Sequence, residues 1–241
     1  MAATRRDDAS GSALEGPPIQ GVRAAVFDAY GTLFDVASAA ERLKGSLGER
    51  WQPLAELWRA KQLQYTWLRS LMGRHADFWR VTGDALDYAM ESLGVADPDL
   101  RQRLMSLYER LPAYPEARPA LEALRRAGLK LAILSNGTPR MLAAAAEAAG
   151  IAPLLDDVLS VESVGIYKPS PAVYRHALDH LRLWPNEIVF VSANGWDAFA
   201  AKYCGMRVAW CNRTGAPAER IPEKPDAVMG SLAELPALVG A

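Results

Sequence analysis

The chain has 241 residues, 50% of them hydrophobic, and a formal net charge of −1. That is enough apolar content for a sizeable core in one large or two modest domains, and the charge balance gives no general electrostatic reason to expect nucleic acid or an anionic membrane as partner. No apolar run reaches membrane-spanning length, since even 129–134 is broken by Lys130, and Cys204 and Cys211 form no close metal pair and require no disulfide, so a reducing cytoplasm is the default compartment.

Residues 1–20 mix Arg5, Arg6, Asp7, Asp8, Pro17 and Pro18 without an apolar signal core; they read as a disordered leader outside the fold. The apolar run 22–27 reads as a buried strand. It delivers Asp28-Ala29-Tyr30-Gly31-Thr32 at its carboxyl end, where open α/β sheets hold their ligands. Asp28 is therefore a candidate nucleophile, the plainer alternative being a carboxylate that ends a strand and caps the segment after it.

From residue 36 to 111 the pattern is helical. Leu54, Leu57, Trp58, Leu63, Tyr65, Trp67, Leu68 and Leu71 recur at helix spacing, and further helices are expected over 84–93 and 99–111, the latter after Pro98. The α/β rhythm resumes near 112–115. A helix over 117–127 ends at Gly128, a strand covers 129–135, and Thr138-Pro139 has the chemistry of a helix start. Later strands are expected at 157–160, 187–192, 206–210 and 227–229, with helices over 171–181 and 196–204. The fold class is thus α/β with a parallel sheet, divided into a leader (1–20), a core (21–35 and 112–241) and an inserted helical cap (36–111) placed to close over the strand ends.

Three later segments bear on chemistry. Ser135-Asn136-Gly137 puts two small polar side chains just before a helix N-terminus, where free N–H groups favour an anion, a carboxylate as readily as a phosphate. Gly165-Ile166-Tyr167-Lys168-Pro169, followed by Tyr174, offers a cation to balance Asp28. Ser192-Ala193-Asn194-Gly195-Trp196-Asp197 ends a strand with a single carboxylate, a poor shell for Mg²⁺, which favours hard anionic oxygens. His75, His176 and His180 form no recognisable triad or metal cluster.

The pentapeptide at Asp28 resembles the Asp-x-Asp-Gly-Thr signature of the haloacid dehalogenase superfamily, whose phosphatases use the first Asp as nucleophile and the second as general acid. Here Tyr30 replaces the second. A strongly basic alkoxide benefits from a proton donor, whereas a halide leaves without one. With Ser135-Asn136, Lys168, Ser192-x-Asn194-x-Trp196-Asp197 and the cap segment 57–72 in the family's order, the chain resembles, over 22–238, the L-2-haloacid dehalogenases, a metal-independent branch with a Rossmann-like core.

That resemblance implies roles. Asp28 attacks C2 of a small 2-haloalkanoic acid and displaces halide with inversion, forming an ester. Thr32, Lys168, Ser192, Asn194 and Asp197 position the nucleophile and the hydrolytic water, Asp197 being best placed to activate it. Ser135, Asn136 and the N–H of Tyr30 hold the substrate carboxylate. Arg59, a permanent and weakly hydrated cation, receives the halide with Asn194 and the walls Leu63, Phe78 and Trp196, and Tyr174 joins the substrate-binding set. Leu63, Phe78 and Trp196 read equally as core residues. Ala60 departs from family members that carry Gln there. The resemblance implies no cofactor or metal, and a homodimer is expected from it and from the Trp- and Tyr-bearing cap helices. Two rival readings are a Mg²⁺-dependent phosphatase, disfavoured by Tyr30 and Ser192, and a non-catalytic module, which has no need of Asp28, Arg59, Lys168 and Asp197 together.

Overall fold

The structure, a computed structural model, describes residues 14–241. Its centre is a six-stranded sheet in the order β3-β2-β1-β4-β5-β6, from β1 (Ala24–Phe27), β2 (Lys130–Ser135), β3 (Asp157–Ser160), β4 (Ile188–Ser192), β5 (Arg207–Cys211) and β6 (Ala227–Met229). Every neighbouring pair is parallel. The sheet runs outward from β1 through β2 to β3, then restarts on the other side at β4. This places the reversal of strand order at β1, and a crevice beyond the carboxyl ends of β1, β2 and β4. Phe27 of β1 is in register with Ile133 and Val191, so Asp28, Ser135 and Ser192 emerge at one edge.

Between β1 and β2 stand the helices α1 (Ser38–Glu41), α2 (Lys44–Leu47), α3 (Trp51–Leu71), α4 (Phe78–Ser92), α5 (Pro98–Glu109) and α6 (Ala117–Arg126). The first five are entered and left through paired segments: Asp35 N–H donates to the Pro112 carbonyl at 2.9 Å and Tyr114 N–H to Leu33 at 2.9 Å. Helix α3 buries Leu54, Trp58, Gln62 and Thr66, a stripe four residues apart. Helix α4 begins at Phe78, earlier than the expected residue 84, because Asp77 caps it by accepting the Arg80 N–H at 2.9 Å. The remaining helices, α7 (Pro139–Ala148), α8 (Pro171–Leu181), α9 (Gly195–Tyr203) and α10 (Leu235–Leu238), fall within a residue or so of the expected bounds where one was set. Thr138 caps α7 through the Met141 N–H.

The stretch read as a leader departs from that reading at its end. Residues 1–13 lie outside the described residues, but Glu15 forms an antiparallel bridge with Val228, and Ile19 is buried with its N–H on the Leu238 carbonyl at 2.8 Å. These contacts cover the edge strand β6, which otherwise presents unpaired backbone groups; the polar composition of the stretch masked its few apolar anchors. Among the described residues, no helix is long and apolar enough to cross a membrane. Cys204 and Cys211 are free thiols.

Candidate active site

Asp28 stands one residue past β1, 6% exposed, with three side-chain donors aimed at its carboxylate. Lys168 Nζ reaches Oδ1 at 3.2 Å, while Thr32 Oγ1 and Asn194 Nδ2 reach Oδ2 at 3.0 and 2.8 Å. The tight turn 29–34 that aims Asp28 contains Gly31 at φ +89°, a backbone region that favours glycine. Thr32 is fixed in turn, since its hydroxyl accepts the Ala193 N–H at 2.8 Å.

Lys168 is buried and bridges two carboxylates, with Nζ 2.8 Å from Asp197 Oδ2. Burial disfavours its ammonium, but Asp197 and then Asp28 outweigh that and raise its pKa. Burial pushes the Asp197 carboxyl up against the opposing pull of Lys168, and Asp28 adds to the rise. Tyr174, expected in the substrate-binding set, instead lies fully buried behind this pair and donates its phenolic proton to Asp197 Oδ1 at 2.5 Å. Burial and then Asp197 drive the Tyr174 pKa well up, so it stays a donor.

Asn194 joins Asp28 to Arg59 of α3. Its Nδ2 donates to Asp28 and, at 3.2 Å, to the Tyr30 carbonyl, while its Oδ1 accepts Arg59 Nη2 at 3.2 Å. Ser192 supports it by accepting the Asn194 N–H at 3.1 Å. Arg59, midway along α3, also reaches the Tyr30 carbonyl at 3.4 Å and Gln62 Oε1 at 2.7 Å. Its partners are all neutral oxygens.

At the end of β2, the buried Ser135 accepts the Gly137 N–H at 3.1 Å, and Asn136 Oδ1 accepts the Lys168 N–H at 3.1 Å. Gly137 is required by close approach, because a Cβ there would stand 2.7 Å from the Tyr30 ring. Tyr30 stacks on Tyr108 at 5.5 Å and tilts against Phe78 at 5.5 Å, its hydroxyl buried without a partner among the described residues. Burial raises its pKa well above the usual phenol value. Phe78 is 1% exposed and serves as packing under Tyr30 and Tyr167. Trp196 meets Trp67 edge-on at 5.5 Å, and Leu63 lies partly exposed one turn beyond Arg59 on α3.

Two parts of the site go beyond the residues singled out from the sequence. Gln62, Thr82 and Tyr108 form a network beside Arg59, and Arg213 clamps the turn after Asp28 by donating to the Gly31 and Thr32 carbonyls at 3.2 and 2.9 Å. Gln62 left one readable signal, a polar residue three positions after Arg59 that continues the stripe of Leu54 and Trp58; Arg213 left none. The histidines sit outside the crevice, His75 on Glu162, His180 on Asp157 and His176 on Ser163. Among the described residues, no group of three or more His, Cys, Asp or Glu is placed to hold a metal ion.

A doubly wound core whose first strand ends in a buried, lysine-paired aspartate facing a helical cap defines a class. The family model of haloacid dehalogenase-like hydrolases matches residues 22–205, and the chain belongs to that family. It is 45% identical over 219 residues to (S)-2-haloacid dehalogenase 1 of Pseudomonas sp. (strain CBS-3), covering 90% of this chain and 96% of the relative. It is 46% identical over 202 residues to (S)-2-haloacid dehalogenase 4A of Burkholderia cepacia, covering 83% and 87%. The L-2-haloacid dehalogenase of Xanthobacter autotrophicus, solved with chloropropionic acid covalently bound, superposes with a TM-score of 0.83 at 40% identity, covering 90% of this chain and 98% of that one. Within the family the chain thus falls among the (S)-2-haloacid dehalogenases, hydrolases acting on carbon–halide bonds.

Proposed function

We propose that this enzyme converts L-2-haloacids to D-2-hydroxyacids through an ester at Asp28, without a metal ion. One observation carries the reading: the Asn194 amide binds the Asp28 carboxylate with its nitrogen and the Arg59 guanidinium with its oxygen, setting a nucleophile and an acceptor for departing halide beside one another. The covalently bound chloropropionic acid of the Xanthobacter relative supports the ester.

In this reading Ser135, Asn136 and the Tyr30 N–H hold the substrate carboxylate beside the start of α7, where free N–H groups favour an anion. An Asp28 oxygen forms a bond to C2 from the side opposite the halogen, the carbon–halogen bond breaks with its electron pair going to halide, and Arg59 and Asn194 receive the anion. Leu63 and Trp196 supply the apolar walls, with Phe78, expected beside them, packed under Tyr30. Water then adds to the ester carbonyl of Asp28 as Asp197 takes its proton. The bond from that carbonyl carbon to the ester oxygen, the Asp28 oxygen now attached to C2, breaks; the departing alkoxide recovers the proton from Asp197, and the regenerated Asp28 carboxyl releases the second proton of the water. Lys168, Thr32 and Ser192 keep the groups aligned, and Tyr174 acts on Asp197 from behind.

The donor set does not suit Mg²⁺. The oxygens that would face it, Asp28 Oδ1 and Asp197 Oδ2, are both bonded to Lys168 Nζ, so an ammonium already balances them. Tyr30, with a buried hydroxyl, cannot serve as the acid a phosphatase needs. The division into core (21–35, 112–241) and cap (36–111) belongs to the same proposal, the cap excluding water once Arg59 docks. So do a homodimer, supported by exposed Leu68, Leu71, Met72 and Tyr88 on the cap, and a cytoplasmic setting, supported by the two free thiols.

The test is halide release from separated L- and D-2-chloropropionate after exhaustive EDTA treatment, with a phosphate monoester assayed alongside. L-2-chloropropionate should yield D-lactate, and added Mg²⁺ should change nothing. L-lactate, or a Mg²⁺ requirement, would overturn the mechanism. Arg59→Lys should be far more damaging than its retained charge suggests, because an ammonium lacks the two-pronged reach to Tyr30, Asn194 and Gln62. Near-normal turnover in folded Arg59→Lys protein would remove it from the catalytic set.

A further inference from the structure

Arg59 approaches the nucleophile through a long, freely jointed side chain. Among the described residues it makes no ion pair, only hydrogen bonds to neutral oxygens. It also borders a cavity of about 420 Å³ lined in part by Val36, Ala37, Ala55 and Ala60, which gives the guanidinium room to turn elsewhere. Its shortest contact, 2.7 Å, is to Gln62 Oε1.

Gln62 cannot present its amide either way round. The Thr82 hydroxyl donates to the Phe78 carbonyl at 2.7 Å, so toward Gln62 it can only accept. The Gln62 nitrogen must therefore face Thr82, where Nε2 donates at 2.7 Å, and the Gln62 oxygen must face Arg59. Tyr108 completes the lock, its hydroxyl accepting from Nε2 at 3.0 Å and donating to Oε1 at 3.2 Å. Burial raises the Tyr108 pKa, so that proton stays. All three side chains are buried, with Gln62 1% exposed.

We infer that Gln62, oriented by Thr82 and Tyr108, is a positioning residue that holds Arg59 in its halide-receiving orientation and out of the neighbouring cavity. The inference rests on the reading of Arg59 as halide acceptor. It assigns Gln62 to the displacement step and not to ester hydrolysis, since its contact is with Arg59 and not with Lys168 or Asp197. Cutting a network that merely stabilises the cap would slow release of chloride and bromide by the same factor.

Single turnovers of Gln62→Leu and Gln62→Glu with L-2-chloropropionate and L-2-bromopropionate separate the two. Halide release in Gln62→Leu should fall by about 100-fold, the scale of a misplaced catalytic group. The loss should be larger for chloride than for the better leaving group bromide, with hydrolysis of the ester once formed unchanged. Gln62→Glu, which keeps an acceptor for Arg59 and lets the Tyr108 hydroxyl donate but turns an acceptor toward the Thr82 oxygen, should recover part of the release lost in Gln62→Leu. If Gln62→Leu does not fold, Tyr108→Phe should show the same chloride bias at smaller amplitude. Equal losses for both halides, an equal slowing of ester hydrolysis, or failure of Gln62→Glu to restore release would each overturn the inference while leaving the Asp28 ester untouched. Should the parent reading fail instead, the signature is different: folded Arg59→Lys would turn over normally.

Discussion

Asp28→Asn is expected to lower halide release by roughly 10⁴-fold or more, the scale seen when a covalent nucleophile is removed. The fold should survive, because the amide fills the same space and Lys168 keeps Asp197 at 2.8 Å as its counter-ion. Circular dichroism of the variant checks this independently of activity. The same residue allows a sharper measurement on the unaltered enzyme. If Asp28 forms an ester that is cleaved at its own carbonyl, one solvent oxygen enters the carboxylate and the product hydroxyl takes its oxygen from the enzyme. A single turnover with excess enzyme in H₂¹⁸O should then place label in the peptide containing Asp28 and almost none in the first product. Label in the product hydroxyl alone would mean that water attacks C2 directly, with Asp28 only a base.

How legible each residue is in the chain depends on how it is held. Strand ends are legible because apolar runs of fixed length terminate at polar residues, and register then brings Asp28, Ser135 and Ser192 to one edge without further information. Lys168 can be expected beside Asp28 only through its motif; that it bridges Asp28 and Asp197 at once depends on where the segment after β3 returns. Tyr174 is expected among the substrate-binding residues and instead sits behind Asp197, since a tyrosine at helix spacing does not reveal which way its hydroxyl points. Gln62, Thr82 and Tyr108 come from three helices, α3, α4 and α5, and only helix packing brings them together. Arg213 lies far from Gly31 in sequence and makes backbone contacts, which leave no trace in residue pattern. Single apolar anchors such as Ile19 are hidden by the polar composition around them.

The cap and the core share the chemistry unequally. In the proposed mechanism the core would supply the nucleophile, the balancing ammonium and the water-activating carboxylate, whereas Arg59, on α3, reaches the crevice through Tyr30 and Asn194. Displacement thus depends on the cap being docked, while hydrolysis depends mainly on groups of the core. The two half-reactions should respond separately to mutation and to pH.

Asp197→Asn is the variant that isolates the second half-reaction. Asp28, Thr32, Asn194 and Arg59 retain their mutual contacts, so the first turnover should release one halide per active site at a nearly unaltered rate. Ester hydrolysis, deprived of its base, should slow by roughly 10² to 10⁴-fold. Mass spectrometry should then find the peptide containing Asp28 carrying the substrate-derived adduct. The pH dependence carries a definite sign. Burial raises the Asp197 pKa, and only the carboxylate form accepts a proton from water. Hydrolysis by the wild-type enzyme should therefore decline as pH falls through a value above that of an ordinary carboxyl, with the ester accumulating on the acid side. Asp197→Asn should lose that limb and retain only a slow hydrolysis without it. A full catalytic cycle in Asp197→Asn, or a burst that disappears together with steady turnover, would move the water-activating role to another group and leave Asp197 as the partner that fixes Lys168.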